Sequence, residues 1–183
     1  MKKYFVILIV ILTFILTSQK TFAQESVPSA KVILADETPV KPNDIRVQIL
    51  RAYLLKWNSP LADNADDFVK SADKYNLDWR LVAAISGVES TFGQAIPTNS
   101  YNGWGFGIYG DNVRYFNSWN DGIDTVSKSL REDYMDKWGA TNVYEIGRTY
   151  AASPTWAVRV DGFMNSIQDF ALRNPDKTLS LSL

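Results

Sequence analysis

Glu89 closes an apolar helical run, Leu81-Val82-Ala83-Ala84-Ile85-Ser86-Gly87-Val88, and is followed at once by Ser90-Thr91-Phe92-Gly93. On a helix, positions 82, 85, 89 and 92 lie along one stripe, so Glu89 shares a face with Val82, Ile85 and Phe92. A carboxylate on an apolar stripe is costly to ionise, and burial raises its pKa towards the range a general acid needs. The ordinary alternative is a helix-end glutamate that turns out into solvent. The chain contains no histidine and no cysteine. Triads built on imidazole are therefore excluded, and no metal site is expected. No Gly-rich phosphate loop with its lysine is present, and no cofactor is expected. Carboxylates, tyrosines, amides and aromatics remain, a vocabulary suited to glycosidic chemistry, which two carboxyl groups, or sometimes one, can run.

The elements that must position these residues follow an export signal. Lys2 and Lys3 precede an apolar run from Phe5 to Leu16, broken only by Thr13, and Thr21-Phe22-Ala23 offers small residues for cleavage. Crossing a membrane takes about 20 apolar residues, so residues 1–23 read as a cleaved signal, with an uncleaved anchor as the alternative. The expected location is secreted or cell-envelope, with no stable membrane insertion after cleavage. The signal carries three of the 19 basic residues and none of the 20 acidic ones, which leaves the remainder at −4. That balance argues against nucleic acid as a partner. Oligomeric state is not legible.

Residues 24–43 read as a linker, with Pro28, Pro39 and Pro42 and no helical period. Residues 44–174 read as one folded domain and 175–183 as a frayed tail. Within the domain, apolar spacing predicts helices over Ile45–Trp57, Leu61–Tyr75 and Trp79–Thr91, the third capped by Asp78. Ser118 with Asp121 opens a helix reaching about Met135. Asn142 with Glu145 has capping-box spacing before a short helix ending near Tyr150. The last helix runs from Trp156 to about Leu172, with Val160, Phe163 and Ile167 inward. Between 96 and 116, Gly110-Asp111-Asn112 separates Phe106–Tyr109 from Val113–Phe116, which predicts a β-hairpin.

Three blocks carry a family resemblance. Glu89-Ser90-Thr91-Phe92-Gly93 resembles the E-S-x-[FW]-G block of bacterial cell-wall endo-β-N-acetylglucosaminidases and, more loosely, of lytic transglycosylases. Asn102-Gly103-Trp104-Gly105-Phe106 resembles their N-x-[FW]-G-[IF] segment. Tyr150 to Val160 is similar to their Y-A-T-D-P-x-Y-A-x-K-[IVL] block, departing at Ala152, Ser153, Trp156 and Arg159. The resemblance implies a mainly α (α+β) fold of the lysozyme-like superfamily, a helical domain with a small β-hairpin lobe flanking a cleft. It implies a secreted hydrolase acting on peptidoglycan glycan strands, with Glu89 as general acid and Tyr150 in the active site. Ser90, Asn102, Trp104 and Trp156 would bind the sugar, although Trp104 could equally be core and Tyr150 a plain helix-end tyrosine. Asp111 is the one carboxylate the hairpin offers as a partner, in a turn that favours aspartate for backbone reasons. Without it, attack by the substrate's N-acetyl oxygen or closure to a 1,6-anhydro product remains. A lytic transglycosylase and a non-catalytic glycan-binding module are the alternatives.

Overall fold

In the computed structural model, residues 44–174 are described except Tyr109 and Asp111. The signal, the linker, the 175–183 tail and Asp111 lie outside the described residues.

The first helix, α1 (Ile45–Lys56), starts where Asp44 accepts the Arg46 N–H at 2.9 Å. The Arg46 guanidinium also bridges Asp44 and Asp73, each at 2.6 Å. The predicted inward residues Ile49, Leu50, Tyr53 and Leu54 are buried. The next predicted helix is divided: a short 3-10 turn, Ala62–Asn64, precedes α2 (Ala65–Lys74). Helix α3 (Leu81–Ser90) is the centre of the domain, with every residue from Leu81 to Gly87 buried. It begins two residues later than the periodicity suggests, because Asp78 caps a turn, accepting the Arg80 N–H at 2.9 Å.

Helix α4 (Trp119–Ser129) opens on a reciprocal cap. Ser118 accepts from Asp121 N–H at 3.2 Å, and Asp121 accepts from Asn117 N–H at 2.9 Å. The same rod continues as a π-helix over Leu130–Lys137, where the sequence predicts more α-helix. Helix α5 (Val143–Tyr150) is capped by Asn142, which accepts from Tyr144 and Glu145. Helix α6 (Trp156–Arg173) packs along α3, burying Val160 and Ile167 with Phe163 partly covered. Helix α1 lies on α2 and α6, α2 lies on α4, and α5 lies on α6.

The expected β-hairpin lobe is not formed, so the mainly α (α+β) expectation is corrected to an all-helical fold. Among the described residues there is no strand; Asn112 alone carries an isolated bridge. The cause is local. Gly107, inside the expected first strand, sits at φ +66°, in the left-handed region, whereas a strand needs φ near −120° to −140°. The described residues between 94 and 118 instead form an irregular loop pinned by Asn102. Its Oδ1 accepts from the Phe106 N–H at 3.0 Å, and its Nδ2 donates to the Phe106 and Arg114 carbonyls at 2.9 and 3.0 Å.

Helix α3 ends abruptly. Thr91 and Phe92 both adopt positive φ, 52° and 56°, before Gly93 at 82°, and this turn folds the Phe92 ring back over Gly87. A Cβ at Gly87 would stand 2.7 Å from two atoms of that ring. Alanine gains about 1 kcal/mol over glycine in a helix, but overpacking a core costs about 1–3 kcal/mol. Gly87→Ala is expected to lower stability, read as a fall in the urea midpoint; an unchanged or higher midpoint contradicts this packing.

Candidate functional site

The α3 terminus, the Asn102 loop and the start of α6 meet at Glu89. Here the structure departs from the stripe expectation: Val82, Ile85 and Phe92 are buried, but Glu89 is exposed. The left-handed turn at Thr91 carries the chain away from the stripe's continuation. The carboxylate is held by one strong contact, the Trp156 indole N–H donating to Oε1 at 2.6 Å. Trp156 itself is buried, and a buried indole N–H requires an acceptor. That requirement accounts for Oε1 and leaves Oε2 unexplained. Oε2 faces Gly105, where a Cβ would stand only 3.2 Å away. No ion pair neutralises Glu89 among the described residues. The result is an oriented, exposed carboxylate beside bare backbone.

The other predicted residues are placed as follows. Ser90 is buried; its hydroxyl donates to the Gly103 carbonyl at 2.7 Å and accepts the Gly93 N–H at 2.9 Å. Asn102 is buried and occupied with the loop backbone. Trp104 is fully buried, its indole N–H donating to the Val82 carbonyl at 2.9 Å. Tyr150 is half-buried and stacks on Trp156 with ring centroids 4.7 Å apart. Its hydroxyl donates to the Trp104 carbonyl at 2.9 Å. Burial pushes its phenol well above the ordinary tyrosine range, and the charge of Glu89 and the neighbouring Tyr134 add to the rise.

Two aromatic residues continue this run without having been singled out in the sequence. Tyr134 lies 5.7 Å from Tyr150, and Trp138 lies 4.8 Å from Tyr134 with about half its surface exposed. Their i, i+4 spacing was the available signal. The run leads from the buried Trp156 beside Glu89 to the surface.

A scan of the chain against protein-family models gives no match, and no curated protein matches it. The glycoside hydrolase reading is corrected by the fold. It required a β-lobe as the second wall of a cleft, and none is built among the described residues. It also required a carboxyl shielded from water, and Glu89 is exposed. The transglycosylase alternative shares both requirements. A glycan-binding cleft required aromatic faces for sugar rings, and both Trp104 and Trp156 are buried in the core.

Tyr150 also predicts a pH dependence. A phenol whose folded pKa lies above its unfolded value near 10 contributes stability that is complete below pH 10 and lost as pH rises towards the folded value. Tyr150→Phe is expected to cost about 1 kcal/mol at neutral pH, from the lost hydrogen bond. It should also make the loss of thermal stability above pH 10 shallower than in the parent. Parallel alkaline profiles would rule out the coupling.

Proposed function

We propose that this chain is an exported binding domain of the cell envelope that holds a partner through the Glu89 carboxylate without cutting it. The observation that carries this reading is the geometry of that carboxylate. Oε1 is fixed by a buried indole, while Oε2 stays uncovered because residue 105 is a glycine. Such a group is pre-organised to accept from a cationic N–H donor, since its orientation is fixed before the ligand arrives. The ligand chemistry we propose is a primary amine.

The signal-like N-terminus and the three wall-enzyme motifs support peptidoglycan as the partner. The contact would be an amine of its peptide portion. Stacking on its glycan rings is disfavoured because Trp104 and Trp156 are enclosed.

Co-sedimentation of the full chain with insoluble peptidoglycan tests the proposal. The chain should pellet with native wall and release no soluble fragments. Acetylating the wall amines, or changing Glu89→Gln, should weaken binding about tenfold, equivalent to about 1.4 kcal/mol. Equal binding to acetylated wall would sink the amine contact. Unchanged binding by the glutamine variant would remove Glu89 from the interface.

A further inference from the structure

A second site lies away from Glu89, where the turn after α2, the π-helix, the α5 N-terminus and the first half of α6 line a half-open cavity of about 630 Å³. Its floor is apolar, formed by Leu77, Leu81, Met135, Val143, Ile146 and Met164. The volume falls in the range of small-molecule sites, about 300–1,000 Å³, which pair an apolar lining with few placed polar groups. Three carboxylates, Asp78, Asp136 and Asp161, stand at the lining against the single guanidinium of Arg131.

These charges are not equally free. Asp78 is paired with Arg80 at 2.6 Å. Arg131 donates to the backbone carbonyls of Tyr75 and Asn76 and lies 3.5 Å from Asp136. Asp161 has no ion-pair partner among the described residues. It accepts only neutral donors, the Tyr144 hydroxyl at 3.3 Å and the Asn165 amide at 3.4 Å. The nearby Arg80 guanidinium feels the Asp161 charge but is ion-paired to Asp78, and a carboxylate with no direct ion pair at the edge of an apolar cavity favours a ligand that brings positive charge together with apolar surface. The π-helix strengthens the case, since this geometry is rare and concentrates at functional sites. It supplies Arg131, Met135 and Asp136 to the lining.

We propose that this cavity binds a small amphiphile, an apolar chain or ring carrying one ammonium group, with the apolar part against Met135, Ile146 and Met164 and the ammonium at Asp161. The site does not depend on the reading given to Glu89.

The chain has three methionines, Met1, Met135 and Met164, and two of them line this cavity. Full-length protein labelled with ¹³C at the methionine methyls therefore reports on it directly. Titration with n-octylammonium should shift the Met135 and Met164 signals and leave Met1 in place, and octanoate should shift none. Asp161→Asn should weaken octylammonium binding about tenfold, while Glu89→Gln leaves it unchanged. No shift of Met135 or Met164 overturns the site. Equal binding of octanol, or an unaltered affinity in both Asp161→Asn and Asp136→Asn, overturns the ammonium contact. Loss of the shifts in Glu89→Gln would assign the binding to the other site and overturn this one.

Discussion

The indole of Trp104 is the contact on which the packing around the site turns. It reaches from an irregular loop into the space between α2, α3 and α4, ring to ring with Phe68, Phe116 and Trp119, and its N–H caps the Val82 carbonyl of the central helix. The approach of α4 is set by it, since a Cβ at Gly122 would stand 2.6 Å from the ring. The backbone carbonyl of the same residue receives the Tyr150 hydroxyl, tying the end of α5 to the loop. One buried side chain thus fixes three helices and the glycine beside Glu89. An aromatic of this size contributes several kcal/mol on burial, enough to hold a loop that has no ladder of its own.

Helix starts were largely legible because they rest on local chemistry. Ser118 with Asp121, and Asn142, satisfy backbone donors within four residues, and such signals survive in a one-dimensional reading. The hairpin was misread for a reason of the same scale. Alternating glycines among aromatics resemble turn punctuation between strands, and their sign of φ is not written in the sequence. Gly107, inside the expected first strand, adopts left-handed backbone, and no strand forms among the described residues. The 3-10 turn before α2 and the π-helix after α4 left no comparable mark.

Periodicity placed Glu89 on an apolar stripe, yet a stripe predicts burial only while the helix continues. Two residues with positive φ stop it at Ser90, and the carboxylate lands on the surface. What fixes it there is Trp156, 67 residues away in the chain. Long-range pairs of this kind lie beyond spacing rules, and the same holds for the Tyr150 hydroxyl and the Trp104 carbonyl.

The π-helix has a geometric consequence beyond rarity. In α geometry each residue advances about 100°, so the face bearing Arg131 and Met135 would lie only about 60° from the face bearing Tyr134 and Trp138. With the wider i to i+5 winding, each step falls to roughly 82° and that separation opens to about 115°. The π-helix with its C-cap Trp138 thereby points one pair of side chains into the cavity and the other along the aromatic run towards Trp156. A change of phase within a single rod lets it serve two sides of the domain at once.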